Sequence, residues 1–401
     1  MWAPDNRLAP FQVTTQILDA LRSGQPTHPW LSPLATHLSR LDIDQSQHLS
    51  RYCRHGLEPI DLRTSAPAGA MLKTPNGWAL AAMLSFHGSG YVREQATRWL
   101  AAKSIPEVLP FLILRMNDWT PAVRAVALEA MDRRLAQPWA PALLKHLGSL
   151  LALKRWKRVN HKPFWQRLIQ FLGAPEQLED VIRSLDTSDT ESRRQLYPLA
   201  LSAAPHRGLE LIQRAIAERD ARLRRWAIKE LIRHPEWCST ALLAPLLLDE
   251  ALVIRGEAQR MQHQADGTFD QAALYREKII EGGPTLRAAL FGLGESGGSE
   301  EAVHIAPFLQ HETTSIQRAA LYGLAYCDLD NQAETVIALV ASPRRRVSND
   351  ATNQLIRSPH LVVAHRALIE GLLTADAPSF VRTNAELALE AGDAYTERWL
   401  S

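Results

Sequence analysis

The chain is poor in cysteine. Cys53, Cys238 and Cys327 lie far apart in 401 residues. That spacing allows no C-x-x-C pair and no disulfide framework, which excludes a stapled secreted scaffold and points to a reducing compartment. No apolar run approaches the roughly 20 residues that a membrane-spanning helix needs. The opening MWAPDNRLAP has Asp5 and two prolines but no basic-then-apolar signal, so the chain reads as cytoplasmic. Charge of neither sign prevails: the formal balance is +2, and the whole molecule therefore nominates no partner. Aromatic residues are few, at 7%, while alanine and leucine abound, a composition that favours helix.

Catalytic signatures are also scarce. There is no G-x-S-x-G elbow and no Walker loop. The histidines crowd toward the N-terminus at His28, His37, His48 and His55, with Cys53 nearby. They lack the H-x-x-x-H or C-x-x-C spacing that holds zinc on adjacent helical turns. One stretch does carry a phosphate-loop spacing: FGLGESGG holds Gly292, Gly294 and Gly297 in G-x-G-x-x-G register. The segment before it is helical in pattern, however, and a dinucleotide fold needs a strand there, so Glu312 downstream does not rescue the match. These glycines are expected to end a helix and turn the chain. No catalytic, cofactor or metal residues are assigned, and the protein is expected not to be an enzyme.

What the chain has is an internal repeat. LRAALFGLGES from Leu286 aligns with QRAALYGLAYC from Gln317, an offset of 31 residues at which Gly294 becomes Ala325 and Gly297 becomes Asp328. An apolar residue, then arginine, then a small or apolar residue three later recurs at Arg93, Arg124, Arg224, Arg255, Arg287 and Arg382, with weaker copies at Arg193 and Ser348. Steps between slots are 31 (93 to 124, 193 to 224, 224 to 255), 32 (255 to 287) and 34 (348 to 382). Between slots, IPEVLPFLILRM, TALLAPLLLDE, AVHIAPFLQH and AETVIALVAS read as second helices. One such pair cannot bury its own apolar face, so neighbours must stack. The expected fold is all-α: an α-solenoid of stacked antiparallel helix pairs.

The frame, clearest in NDWTPAVRAVALEAM (117–131) and GSGYVREQATRWL (88–100), resembles the HEAT repeat, particularly the short bacterial form of phycobilisome-lyase-like proteins. The resemblance covers roughly residues 85 to 395. It implies a non-catalytic array that binds macromolecules. It also implies that the slot arginines pair with acidic residues near turns, as a ladder of Arg93, Arg124, Arg224, Arg255, Arg287 and Arg382, with Asp118 and Asp220 as candidate partners.

Two regions break the frame. Residues 1–85, with the proline-rich SGQPTHPWLSPL and RTSAPAGA, are expected to form an irregular helical cap on the array of 86–401. Between Arg124 and Arg193 the gap is 69 residues, so a unit is lengthened, about 142–173. That unit is basic: Lys154, Arg155, Lys157, Arg158, His161 and Lys162 interleave with Trp156 and Trp165. From Lys145 to Arg233 there are 18 Lys or Arg against 10 Asp or Glu, a local net of +8. Arg194 and Arg225 each follow a slot by one residue, with Trp226 and Lys229 close by.

This basic middle reads either as a solvated charged surface or as a groove. As a groove it suits an acidic protein partner, or the phosphates and stacked bases of nucleic acid. The candidate partner-binding residues are Arg155, Trp156, Arg158, Trp165, Arg194, Arg225, Trp226 and Lys229. The expected function is that of an adaptor, scaffold or assembly chaperone using its concave surface. The alternative is a nucleic-acid-binding array, remotely a DNA-glycosylase-like enzyme in which Asp118, Trp119, Trp156 and Trp165 match by residue type alone.

Overall fold

Each module begins with the same local logic. In Pro121–Arg133 the buried residues are Val123, Val126, Ala127, Ala130 and Met131, a spacing that puts them on one helical stripe. Pro121 opens the helix, where a missing N–H removes no hydrogen bond. The stripe needs a partner surface, and the two preceding helices, Gly90–Ala101 and Leu109–Arg115, supply it.

The computed structural model describes residues 31–41, 43–56 and 66–399. By its internal packing the chain divides into two units, Met1–Leu211 and Ile212–Ser401. The first holds α1 (Leu31–Leu38), α2 (Ile43–Gly56), α3 (Ala66–Leu72), α4 (Gly77–Leu84), α5 (Gly90–Ala101), α6 (Leu109–Arg115), α7 (Pro121–Arg133), α8 (Ala140–Lys145), α9 (Leu147–Arg155), α10 (Lys162–Leu172), α11 (Leu178–Thr187) and α12 (Thr190–Ala203). The division falls within α13 (Gly208–Ile216).

The second unit holds α14 (Ala221–Arg233), α15 (Thr240–Leu247), α16 (Leu252–Ala265), α17 (Gln271–Glu281), α18 (Leu286–Ser296), α19 (Ala302–Ile305), α20 (Thr314–Cys327), α21 (Ala333–Val340), α22 (Arg345–Arg357), α23 (Pro359–Ala364), α24 (Arg366–Glu370) and α25 (Ser379–Trp399). Among the described residues there is no strand.

Packing follows the chain. Slot-bearing helices touch one another in succession: α5 on α7 in the first unit, α14 on α16, α18 on α20 and α20 on α22 in the second. Each also packs on its own connecting helix, as α6 does on α7, α15 on α16 and α21 on α22. This is an α-solenoid of stacked antiparallel helix pairs. Of the expected cap, residues 1–30, 42 and 57–65 lie outside the described residues; α1 and α3 pack on α4, and α2 on α6. The lengthened unit is a connecting helix broken at His146 into α8 and α9, followed by a loop at 156–161. The packed face of α10, through Phe164, Leu168 and Leu172, repeats that of α7, which places Trp165 where Arg124 stands.

Two expectations are corrected. Gly292 and Gly294 do not end a helix: both are buried inside α18. A Cβ on Gly292 would enter the Tyr275 ring, one on Gly294 would strike the Gly323 carbonyl, and one on Gly323 would strike the Leu290 carbonyl. Gly294 and Gly323 let α18 and α20 approach backbone to backbone, and Gly292 makes room for Tyr275 of α17. Gly297 is the C-cap but has φ −93°, so no left-handed residue is used.

The second correction concerns the ladder's register. Slot arginines fold back onto carbonyls just past the preceding connecting helix. Arg93 donates to the His87 and Gly88 carbonyls at 2.9 and 2.7 Å, and Arg124 to those of Asp118 and Trp119 at 2.8 and 2.9 Å. Arg224 donates to Glu218 and Arg219 at 3.0 and 2.8 Å, and Arg255 to Asp249. A cation there satisfies orphan carbonyls at the negative end of the helix. Arg93 and Arg224 then each grip the aspartate 25 residues on, Asp118 and Asp249. Arg255 takes Glu295 of α18 instead. Asp220 caps α14, accepting from the Leu223 amide.

Beyond Arg255 the buried position recurs every 31 residues at Leu286, Gln317 and Ser348. Arg287 therefore sits one place past it and pairs with Glu250 at the surface at 3.1 Å, while Arg382 is exposed and in no described ion pair. Gln317 and Ser348 both donate to a carbonyl eight residues back, Leu309 and Val340. The missing guanidinium at Gln317 is supplied from the following turn. Arg344 reaches the His311 carbonyl at 2.7 Å and Gln317 Oε1 at 2.9 Å.

Candidate functional site

The loop at 156–161 exists because the lengthened unit has more chain than its helices use. Arg158 ties it down by donating to the Asn117 carbonyl at 2.9 Å. Trp156, at the C-cap of α9, is thereby held between two cavities of the first unit.

The first cavity, about 410 Å³, is lined by Arg51, Arg115, Asp118, Trp119, Trp156 and Arg158, among others. Trp119 is 53% exposed, and the Arg93 guanidinium lies 5.2 Å from its ring centre. Asn117 Oδ1, buried nearby, has no hydrogen-bond partner. Asp118 does not present a reactive carboxylate. Oδ1 accepts from Arg93 and the Thr120 amide, and Oδ2 from Arg93 and Arg115, all at 2.9 Å. Burial alone would raise its pKa, but the Arg93 hydrogen bonds and the Arg115 charge outweigh it and hold the carboxyl below its ordinary range. Its role is to hold the ladder.

The second cavity, about 480 Å³, is lined by Leu153, Lys154, Trp156, Lys157, Val159, Asn160, His161, Lys162 and Trp165, none of them acidic. Lys154 Nζ stands 3.8 Å from the Trp165 ring centre, a cation–π contact, and donates to Gln195 at 3.2 Å. Burial lowers the Lys154 pKa, opposed by Glu191. His161 is only 8% exposed, and its Nε2 has no hydrogen-bond partner. Burial, then the nearby Arg124 charge, lowers its pKa, which favours the neutral ring. The cleft thus pairs apolar walls with a basic rim.

The structure brings together Trp156, Arg158 and Trp165 from the candidate set. Arg155 is exposed at the end of α9 and lines neither cavity. Arg194, on α12, pairs with Glu191 at 2.8 Å and also lines neither. Arg225, Trp226 and Lys229 belong to the second unit, on α14, where Arg225 and Lys229 are exposed. Arg51 was not legible as a site residue, since nothing in its local sequence marks it; it arrives through the packing of α2 on α6. Among the described residues no group of three His, Cys, Asp or Glu is placed to hold a metal ion; His28 and the side chains of Cys53 and His55 lie outside them. No described helix is long and apolar enough to cross a membrane.

No family model and no curated protein matches the chain. Among solved structures it is similar to importin beta crystallised in an ammonium sulfate condition, with 11% identity and a TM-score of 0.45 over 95% of this chain and 58% of that one. It is also similar to Kap121p bound to Pho4p, with 16% identity and a TM-score of 0.28 over 97% and 45% of the two chains. The karyopherin Kap121p bound to the SUMO protease Ulp1p gives 15% identity and 0.28 over 97% and 44%. The chain therefore spans about half the length of the structures it matches. All three scores lie below 0.5, and the architecture rests on the packing of the chain's own helices.

Proposed function

We propose that the protein is a non-catalytic binding array of the short bacterial HEAT type, acting in the cytoplasm as an adaptor, scaffold or assembly chaperone for an acidic protein partner. The observation that carries this reading is the second cavity. Trp156 and Trp165 wall a cleft whose rim is Lys154, Lys157 and Lys162 and which no acidic side chain lines. Tryptophan and basic side chains in a preformed cleft are suited to anchor a partner residue beside a carboxylate, with little ordering on binding. The four filled acceptor directions of Asp118 argue for structure rather than base-excision chemistry.

Nucleic acid is the second reading, favoured by Trp119 and Trp156 beside Arg51 and Arg158 in the first cavity, where bases could stack and phosphates pair. Capture from the native host with the wild-type chain and with Trp156→Ala/Trp165→Ala tests the site. Loss of a protein partner in the variant supports it, and retention of every partner discards it. Salt separates the readings, since phosphate contacts each steepen the log–log salt dependence by about 0.7 to 0.9.

A further inference from the structure

With the register corrected, one position past the buried slot holds Arg225, Gly256, Arg287, Arg318 and Asn349 at steps of 31 residues, all in the second unit. Four residues further on the same helices stand Phe291 and Tyr322, and after another four Tyr326 and Arg357. Residues four apart share one face of a helix, and α18, α20 and α22 pack in succession. Arginines and rings therefore line up across three helices.

The rings form a continuous run. Phe291 meets Tyr322 edge-on at 4.9 Å, and Tyr322 meets Tyr326 at 4.7 Å. The guanidinium of Arg287 lies 5.7 Å from the Phe291 ring centre. A cavity of about 240 Å³ opens there, lined by Arg287, Phe291, Arg318, Tyr322, Asp350 and Arg357, among others. The three helices carry Arg287, Arg318, Arg345, Arg346 and Arg357 against Glu295 and Asp350, and Glu295 is occupied by buried Arg255. The one acid left on them, Asp350, and Glu250 from outside them are loosely held. Arg287–Glu250 and Arg318–Asp350 are at least a third exposed on the arginine side, where water screens such pairs and exchange costs little. Arg287 Nε is buried without a hydrogen-bond partner, and Tyr326 is 52% exposed.

Gly256 adds an independent mark. It lies mid-helix in α16, and an added Cβ would meet nothing within 4 Å. Packing does not explain a residue that weakens a helix. In the arginine column it leaves open space above the helix surface.

We propose that this face is a second docking strip, taking an extended acidic segment of a partner protein. Its carboxylates pair with Arg287, Arg318 and Arg357, and its apolar side chains lie on Tyr322 and Tyr326. The strip does not rest on the first-unit cleft. The full chain carrying Trp156→Ala/Trp165→Ala, which removes that cleft, is titrated with a fluorescein-labelled peptide of alternating Glu and Phe, with oligothymidylate in parallel.

Peptide binding, weakened about tenfold or more by Arg287→Ala/Arg318→Ala in the same background and partly kept by Arg287→Lys/Arg318→Lys, is the expected result. Absence of peptide binding, an unchanged affinity in the alanine variant, or tighter binding of oligothymidylate than of peptide overturns the proposal. Far-UV circular dichroism checks folding. Should the alanine variant unfold, Tyr326→Ala on the exposed rim is measured instead, and full retention of binding there overturns the strip.

Discussion

Removing the Asp118 carboxylate tests the ladder where it is most buried. Its side chain is 3% exposed, that of Arg93 1% and that of Arg115 8%. In Asp118→Asn the shape survives, but two guanidiniums lose their counter-charge in a place water hardly reaches. Breaking a buried pair by deleting one partner costs about 3–5 kcal/mol, and here one carboxylate serves two cations, so the upper half of that range is expected. The acid dependence should change too. Asp118 is held below its ordinary pKa, so its stabilisation is full above the unfolded value of about 3.9. It is lost as pH falls through the lower folded value. The variant should lack that loss.

Guanidinium unfolding followed by circular dichroism gives the size of the effect. Hydrogen exchange across residues 85–133 locates it, which matters in a chain of two units. Glu129→Gln, which breaks an exposed pair with Arg133, is the control and should shift the midpoint little. A loss under about 1 kcal/mol in Asp118→Asn, with an unchanged acid slope, would refute the ladder's energetic role, since exposed pairs alone contribute that much.

Other outcomes follow from particular contacts. Gly294→Ala should destabilise the second unit by about 1–3 kcal/mol, because the new methyl meets the Gly323 carbonyl. Gly256→Ala should stabilise it by up to about 1 kcal/mol; thermal unfolding reads both signs. Arg344→Ala strips a donor from the His311 carbonyl and Gln317 and should cost about 1–3 kcal/mol. Gln317→Arg should partly restore it, and a double-mutant cycle measures that coupling. His146 is pushed down to about 4, first by burial and then by Lys145. Stability should be full above the unfolded value of about 6.5 and fall as pH drops from there toward 4, by up to about 3 kcal/mol. His146→Gln should remove that slope in a pH series of unfolding curves.

The stacked pairs were legible because a 31-residue period and a one-sided apolar stripe are properties of the chain itself. The register beyond Arg255 was not. Arg287 and Arg318 each follow the buried position by one residue, so a pattern keyed on arginine slips by one where Leu286 and Gln317 have replaced it. The glycines of α18 mislead for a related reason. A helix C-cap and a close helix crossing both select glycine, and only the position of α20 and Tyr275 separates them. In the cleft, Trp156, Arg158 and Trp165 stood out as basic and aromatic residues in an overlong unit. Arg51 could not, since it reaches the first cavity from α2 through tertiary packing. The division near residue 211 falls inside α13 and has no linker to mark it.

The cleft of Trp156 and Trp165 is tested most directly by hydrogen exchange on the full chain, alone and with the protein captured from its native host. Slowed exchange at residues 153–168, absent in Trp156→Ala/Trp165→Ala, is expected. Unchanged exchange there, with protection confined to other segments of a stable complex, would contradict it.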